Sequence, residues 1–277
     1  MNSIVRELRY ALRTLWQRPA VTIAAIVALG LAIGSTTAIF SVINAVLLKP
    51  LAFDDPDRVA ILWESNPGRG LDIFSASPAN FLDWEKQNTV FQSLSAYSGG
   101  SVTITGDDRA SERIQRLIVS EQFFKVLRTP PQVGRTLVPD DSQKGKDVVA
   151  VISHRFWQNR FGGDPSTVGK NVVLDGRSFS IVGVMPAHFM YPADIDVWVP
   201  LFIANPTVRG AHNLSVIGRL KEGLTFEQAD PEMKTIAARL EKEYPQTNQA
   251  WTIRVFNIHQ WIVRDMRPTL LVLLAAV

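Results

Sequence analysis

The longest apolar stretch of the chain runs from Ala20 to Leu48 and holds 29 residues without a charged side chain. About 20 predominantly apolar residues are enough for a helix to span a bilayer. At 1.5 Å per residue this stretch is about 43 Å long, which exceeds the hydrocarbon core of about 30 Å. The pattern predicts a transmembrane helix over residues 19–48, with the turns from Phe40 onward standing above the membrane.

A buried helix of a soluble protein and a cleaved signal peptide are the alternatives for this stretch. The apolar core of a signal peptide has about 7–15 residues and precedes a small-residue cleavage site. Here the apolar run is about twice as long and ends in Leu-Leu-Lys-Pro. We therefore favour an uncleaved membrane anchor.

Residues 1–18 carry apolar side chains at helical spacing and arginines mostly on the opposite side. The apolar positions are Ile4, Leu8, Ala11, Leu12 and Leu15. Such a segment is typical of a helix that lies in the membrane interface, where tryptophan prefers the headgroup layer. We predict a cytoplasmic interfacial helix over residues 1–18, with Arg13, Trp16 and Arg18 at the membrane surface. A positively charged flank without this structure is the alternative.

The charges on the two sides of the apolar stretch predict its orientation. Arginines precede it, whereas Asp54, Asp55 and Asp57 follow it together with Lys49 and Arg58. Because basic residues stay on the cytoplasmic side of a membrane, the N-terminus is predicted in the cytoplasm and residues 50–266 outside. The chain has no cysteine, which suits an oxidising compartment without proving one.

Small residues recur inside the apolar stretch at Gly30, Gly34 and Ala38. A small residue at every fourth position allows the backbones of two membrane helices to approach closely. We predict that this side of the helix packs against another helix. The alternative is chance, because small residues are frequent in membrane helices.

From residue 50 onward, the apolar pattern alternates between strands and helices. Near the start, a strand at Val59–Trp63 precedes a helix that Ser77 caps and Pro78 begins. Near the end, the strands "NLSVIGRL" and "WTIRVFNI" flank an amphipathic helix that continues to about Tyr244. A β-α-β unit at each end, with extra strands between them, predicts an α+β fold with an insertion.

Two helix starts are predicted from single residues. Ser120 precedes "EQFFKVL" and is expected to cap that short helix. Pro231 is expected at the first helical position, with Asp230 as the cap, because proline inside a helix removes a hydrogen bond.

The Gly-rich stretch from Arg160 to Pro186 contains a Gly-Lys pair and therefore invites comparison with a phosphate-binding loop. That loop has the pattern G-x-x-x-x-G-K-[ST] and opens a helix after a strand. Here Asp164 stands where the first glycine belongs, Asn171 follows Lys170, and a strand follows the loop. The stretch is interpreted as turns between strands and not as a nucleotide site.

Asp175 and Gly176 lie between the β-rich runs "NVVL" and "RSFSIVGV". Asp-Gly is favoured in a two-residue hairpin because both turn positions need a positive φ angle. The sequence therefore predicts a hairpin turn at these two residues.

The net charge of +3 comes from 29 basic and 26 acidic residues. The first 18 residues hold four arginines and one glutamate, so the remainder of the chain sums to zero. No basic field suited to nucleic acid remains, and nucleic acid is not expected as a partner.

No catalytic, cofactor-binding or metal-binding constellation is found in the sequence. The histidines are scattered and lack the spacing of metal ligands; they are His154, His188, His212 and His259. No G-x-S-x-G motif occurs, and the absence of cysteine excludes a thiol nucleophile. We therefore expect a protein that is not an enzyme and that needs no cofactor.

Four stretches in the same order give the chain a resemblance to the MacB/FtsX-type ABC transporter permeases. They include "VSEQFFKVLRTPPQVGRTL" and "FSIVGVMP", and they span Leu12–Phe40, Val119–Leu137, Val149–Pro192 and Val197–Leu201. The chain is most similar to the duplicated MacB-like permeases first noticed in acidobacteria. Each stretch alone is weak, whereas their order and spacing together are specific.

The resemblance implies a MacB-like periplasmic core domain over residues 49–268. Its porter halves are expected at about 49–134 and 206–266, with an inserted, mainly β subdomain at about 135–205. The family also implies a bacterial inner membrane location and a permease that works as a homodimer or as one of a pair. Because this chain holds no ATPase region, the implied partner is a separate cytoplasmic ABC ATPase.

The function implied by the resemblance is to pass ATPase-driven movement to the periplasmic domain for efflux or export. The alternative is a single-span, membrane-anchored periplasmic binding or scaffold protein. The segment 269–277 is apolar and too short to span a membrane. We expect it to begin a truncated second transmembrane helix, the alternative being a short buried segment; further spans after Val277 would favour the permease.

Overall fold

The computed structural model describes residues 15–43, 53–106 and 110–266, together with residues 7, 9, 10, 13, 268, 269 and 272. Two compact units are present. Residues 51–261 form the larger unit, called the body below, and residues 1–50 with 262–277 form the other.

Helix α1 (Pro19–Ile43) carries the long apolar stretch, and its segment Pro19–Ser41 is long and apolar enough to cross a membrane. Nearly all of its described side chains are exposed. Its hydroxyl groups bond inside the helix: Thr36 donates to the carbonyl of Ala32, and Ser41 to that of Thr37. Such internal bonding suits a helix surrounded by lipid. The predicted continuation to Leu48 lies outside the described residues.

The body is built on a single sheet. Its strands are β1 (Val59–Asn66), β2 (Leu71–Phe74), β3 (Phe91–Thr105), β4 (Glu112–Val119), β5 (Val133–Gly134), β6 (Val149–Ile152), β7 (Asn171–Leu174), β8 (Arg177–Val184), β9 (Val197–Pro200), β10 (Ser215–Leu220) and β11 (Thr252–Asn257). The helices after α1 are α2 (Pro78–Gln87), α3 (Phe123–Val126), α4 (His154–Phe161), α5 (Phe226–Glu243), α6 (Pro245–Asn248) and α7 (Ile258–Val263).

Two interleaved β-α-β units form one end of the sheet, in the strand order β11-β1-β10-β3. Strand β1 is antiparallel to both β10 and β11, and β10 is antiparallel to β3. The connection from β1 through α2 therefore returns to a parallel strand, β3, and β10 returns through α5 to β11. This is the split β-α-β arrangement. It confirms the predicted α+β fold, in which one β-α-β unit comes early in the chain and the other comes late.

The strands between these units extend the same sheet. The first half of β3 pairs with β10, and its second half pairs with β4. Beyond β4 follow β9, β6, β8 and β5, while β7 pairs with β8 and with the end of β3. Strands β4 to β9 are thus joined to the β-α-β units through the long strand β3, which pairs with both β4 and β7.

Three hydrophobic clusters fill the body. One lies under α2 and α5 and includes Trp84, Met233 and Leu240. A second lies on the other face of β1 and β10 and includes Phe123 and Trp198. The third packs α4 on strands β6 to β9 and includes side chains of β3 and β4. The alternating side chains of β1 separate the first two clusters, because Ala60 and Leu62 face one while Val59 and Ile61 face the other.

The prediction for Pro231 is wrong. Helix α5 begins at Phe226, Thr225 is its N-cap, and Pro231 lies inside the helix. Gln228 accepts a hydrogen bond from the Thr225 backbone N–H, as in a capping box. This cap and the buried side chains of the helix, Met233 and Leu240 among them, outweigh the hydrogen bond that Pro231 removes.

The prediction that Ser120 caps a helix is also wrong. Helix α3 has Gln122 as its N-cap and no side-chain capping bond. The Ser120 hydroxyl instead contacts the hydroxyl of Ser95 at 2.9 Å and accepts from the backbone N–H of Ala96 at 3.2 Å. Contact with strand β3 therefore decides its side-chain position.

Asp175 and Gly176 connect β7 to β8, and the neighbouring residues Leu174 and Arg177 are paired across the turn. Their φ angles are 47° and 79°. The Asp175 carboxylate also accepts from the backbone N–H of Thr103 at 2.8 Å, which ties the turn to β3.

Replacing Gly176 with valine is expected to destabilise the body by about 1–2 kcal/mol, because a β-branched residue is strained in left-handed backbone. Gly100→Val is the matched control, since Gly100 lies in β3 without a positive φ and no atom lies within 4 Å of its added Cβ. Urea unfolding of both variants measures the difference. Equal stability of the two would contradict the expectation.

Candidate functional site

The predicted membrane residues lie in the smaller unit. Gly30, Gly34 and Ala38 are exposed along α1, and no atom lies within 4 Å of a Cβ built on either glycine. Trp16 is 86% exposed, Arg13 is helical, and Arg18 interrupts the helix just before Pro19. The Thr22 hydroxyl bridges this interruption by donating to the carbonyl of Leu15 at 2.8 Å. Most of the predicted interfacial helix lies outside the described residues.

The Gly-rich stretch holds its own ion pair. Asp164 accepts from Ser166 and lies 3.0 Å from the ammonium of Lys170. Hydrogen bonds from Ser166 and then Lys170 lower the pKa of Asp164 to about 2. The lysine that a phosphate loop would direct at its ligand is here paired with an acid of the same turn.

Where the structure describes the chain, no group of three or more histidine, aspartate or glutamate side chains could hold a metal ion. His154 contacts the amide oxygen of Gln132. The notable polar groups of the body instead form two buried networks, neither of which the sequence predicts.

The first network lies at the N-terminal junction, defined here as residues 53–58, where the chain enters the body. Arg219 of β10 is 1% exposed and donates to three backbone carbonyls. Its Nη2 donates to Asp54 at 2.6 Å, its Nη1 to Asp55 at 3.0 Å, and its Nε to Val126 at the end of α3 at 2.7 Å. One buried side chain thus joins the junction to the sheet and to α3.

Two further arginines strengthen this junction. Arg58 donates to the carbonyl of Leu220 at 2.6 Å and pairs with Asp55 at 3.2 Å. Arg128 lies 3.7 Å from the carboxylate of Asp54. Burial, followed by the charge of Arg128, lowers the pKa of Arg219.

The C-terminal end of the body lies beside this junction. Ala60 in β1 pairs with Asn257, the last residue of β11. The Asn257 side chain donates to the carbonyl of Asp57 and also accepts from the backbone N–H of His259 at the start of α7. The two segments that lead out of the body therefore start side by side.

The second network ties the segment 205–214 to α2 and β1. Asn80 is 2% exposed; its amide donates to Glu64 at 2.6 Å, and its oxygen accepts from Arg209 at 2.7 Å and Asn248 at 3.0 Å. Arg209 also pairs with Asp83 at 2.6 Å and lies 3.5 Å above the ring of Tyr244. Every charged group in this network thus has a partner.

His212 completes the second network. Its Nδ1 contacts the carboxylate of Glu64 at 2.5 Å, and its ring stacks on Trp251 with centroids 4.5 Å apart. Burial lowers the pKa of His212, but the hydrogen bond and charge of Glu64 outweigh burial, so the net shift is upward from 6.5.

The raised pKa of His212 predicts a pH-dependent stability. The protonated form is favoured by folding, so its contribution is complete below about pH 6.5 and is lost as pH rises through the folded pKa. The free energy of unfolding should therefore fall as pH rises above about 6.5, and His212→Gln should flatten this slope. Urea unfolding at a series of pH values, with the exposed His188→Gln as control, measures the effect. A slope that persists in His212→Gln would contradict it.

The sequence held a weak signal for both networks. Arg219 stands in the apolar strand "SVIGRL" and Glu64 in the apolar strand "VAILWES". Because side chains alternate between the two faces of a strand, each charged residue lies on the same face as apolar neighbours two positions away. A buried charge needs partners, but those partners come from residues 93 and 148 positions away along the chain.

The profile of the MacB-like periplasmic core domain family matches residues 22–236. The "Macrolide export ATP-binding/permease protein MacB" of Burkholderia thailandensis is 28% identical over 109 residues, which cover 38% of this chain and 16% of that protein. The match thus spans about a sixth of the length of that relative.

Solved structures share the fold. The periplasmic region of MacB from Actinobacillus actinomycetemcomitans superposes with a TM-score of 0.56 at 15% identity, covering 78% of this chain and 94% of the other. The extracellular domain of the noncanonic ABC-type transporter YknZ from Gram-positive bacteria gives 0.51 at 20% identity, covering 71% and 99%.

The family profile covers most of α1 and residues 51–236 of the body. The predicted resemblance is confirmed. The chain belongs to the MacB-like periplasmic core domain family of ABC transporter permeases.

Proposed function

We propose that this chain passes ATP-driven movement from a separate cytoplasmic ABC ATPase, through its first span, to the periplasmic body for efflux or export. The hydrogen bonds of Arg219 are the observation that carries this proposal. They hold the backbone of Asp54 and Asp55 against β10 and α3. A displacement of the chain at Asp54 would therefore be passed to the sheet, because the backbone at this point is bonded to β10 and α3.

The proposed topology has the N-terminus in the cytoplasm and residues 50–266 in the periplasm of a cell with the protein in its inner membrane. The arginine-rich N-terminal flank and the acidic residues after the span support this orientation. Residues 1–18 are proposed as the interfacial helix, and residues 269–277 as the start of a second span.

The proposed division of the body assigns residues 49–134 and 206–266 to two porter halves and 135–205 to an insertion. The interleaved β-α-β units support this division, because they draw strands β1 and β3 from the first half and β10 and β11 from the second. Strands β6 to β9 belong to the insertion.

The proposed partners are a second permease, either identical or paired, and the lipid bilayer. The exposed row of Gly30, Gly34 and Ala38 supports close packing of α1 against another membrane helix. The permease itself is proposed to catalyse no reaction, with ATP hydrolysis confined to the ATPase.

Insertion of a Gly-Ser pair between Leu48 and Pro50 tests the coupling role. In the full-length permease with its ATPase, transport should fall at least about tenfold while basal ATP hydrolysis persists, because a flexible linker does not transmit displacement. Efflux from whole cells and ATPase activity in nanodiscs are the two measurements.

A Gly-Ser insertion in the loop between Gly145 and Lys146 is the matched control, because this loop lies far along the chain from the junction. It should leave transport unchanged. Normal transport after the insertion at the junction would assign α1 to simple anchoring and would favour a membrane-anchored binding or scaffold role.

A further inference from the structure

Three adjacent cavities form a groove along α2 and the segment 201–209. Their volumes are about 650, 250 and 210 Å³. Pro206 borders the first two cavities, and Glu85 borders the second and third. The shared residues place the cavities in a row, here called the α2 groove, which favours an elongated ligand over a compact one.

The middle of the α2 groove has an apolar wall. Leu201, Phe202 and Ile203 follow β9 directly, and Leu82 of α2 borders the same cavity. Phe202 is 37% exposed, and the other three are partly buried against the core under α2. Apolar side chains that remain accessible in a concave site are typical of ligand-binding surfaces.

Carboxylates are distributed along the groove without basic partners. Glu85 and Glu121 border the middle cavity, and Glu243 borders the largest one. Two of them accept from hydroxyl groups: Ser142 donates to Glu121 at 3.2 Å, and Tyr244 donates to Glu243 at 2.7 Å. Within the described part of the chain, none of the three carboxylates forms an ion pair.

The one basic side chain that borders these cavities in the described residues is Arg209. Its guanidinium is already held by Asn80, Asp83 and the ring of Tyr244. Burial, and then the charge of Glu121, raises the pKa of Glu85. Among the described residues the three carboxylates therefore lack an ion-pair partner, and a cationic ligand would supply one.

We propose that the α2 groove binds an extended polypeptide segment in which basic and apolar side chains alternate. The apolar side chains would contact the wall at Leu201–Ile203, and the basic ones would reach Glu85, Glu121 and Glu243. This inference goes beyond the coupling role and depends only on the body. Because binding at equilibrium needs no ATPase, its failure would leave the coupling proposal intact, and the reverse also holds.

A fluorescein-labelled peptide of alternating lysine and leucine, about eight residues and roughly 26 Å when extended, is the probe. Fluorescence anisotropy would measure its affinity for the full chain in nanodiscs of zwitterionic lipid, with empty nanodiscs subtracted. Glu85→Gln/Glu121→Gln should weaken binding about tenfold. Phe202→Ser should also weaken it, and a glutamine–leucine peptide should bind more weakly than the lysine–leucine one.

Each single variant, Glu85→Gln and Asp72→Asn, removes one carboxylate. Asp72→Asn is the control, because Asp72 is exposed on β2 outside the groove. It should leave affinity unchanged. Equal affinity of the double variant and the unmodified chain would overturn the proposal, as would an equal loss in Asp72→Asn. Displacement of the peptide by spermine at equal concentration would assign the groove to small cations and would also overturn it.

Discussion

Replacing Arg219 with alanine is expected to lower the free energy of unfolding of the body by about 3–5 kcal/mol. The side chain is 1% exposed, and its loss leaves the carbonyls of Asp54, Asp55 and Val126 without their donor. It also leaves the carboxylate of Asp55, 3.7 Å away, with Arg58 as its remaining partner. An effect of this size exceeds that of an ordinary surface substitution several-fold.

Urea unfolding monitored by tryptophan fluorescence measures the Arg219 effect. Arg113→Ala is the matched control, because Arg113 is exposed on β4 and should change stability by less than about 0.5 kcal/mol. Arg219→Lys should lie between the two, since a single ammonium keeps the charge but not the planar fork that reaches three carbonyls. A loss below about 1 kcal/mol in Arg219→Ala would show that water replaces the guanidinium, and that the junction is held by other contacts.

Replacing Asn80 with alanine should cost about 3 kcal/mol, because three buried groups lose their shared partner. Glu64 loses a donor, while Arg209 and Asn248 lose an acceptor. The segment 205–214 would then be held less firmly at its centre. Trypsin cleavage after Arg209 should accelerate, because cleavage follows the population of locally opened states.

Asn213→Ala is the control for the Asn80 experiment, since Asn213 is an exposed residue of the same segment. It should change neither the stability nor the trypsin cleavage at Arg209. If Asn80→Ala unfolds earlier in urea while cleavage at Arg209 stays at the control rate, Asn80 stabilises α2 but does not fasten the segment.

The features predicted correctly from the sequence are those that local chemistry decides. The Ser77 hydroxyl accepts from the backbone N–H of Asn80 and Pro78 follows it, so the start of α2 is set within four residues. The apolar pattern of "NLSVIGRL", α5 and "WTIRVFNI" likewise requires a strand, a helix and a strand over a common core.

The features that the sequence did not reveal depend on distant residues. Pro231 lies inside α5 because the cap at Thr225 and the core under the helix outweigh its local preference. Ser120 bonds across to β3 and not to its own helix. Arg219 and Glu64 stand out as charges in apolar strands, but their roles depend on partners that only the folded chain brings near.

The pairing of β1 with β11 also has a mechanical consequence. The strands are antiparallel, and the chain enters β1 and leaves β11 at the same end, where Ala60 pairs with Asn257. A force that pulls these two ends apart would peel the ladder open one hydrogen bond at a time, whereas shear would load all its bonds together. The body is therefore weak against separation of the segments that lead into β1 and out of β11, whereas joint movement of the two segments puts no opening force on this ladder. Under the proposed coupling role, a movement that keeps this ladder closed displaces both segments together.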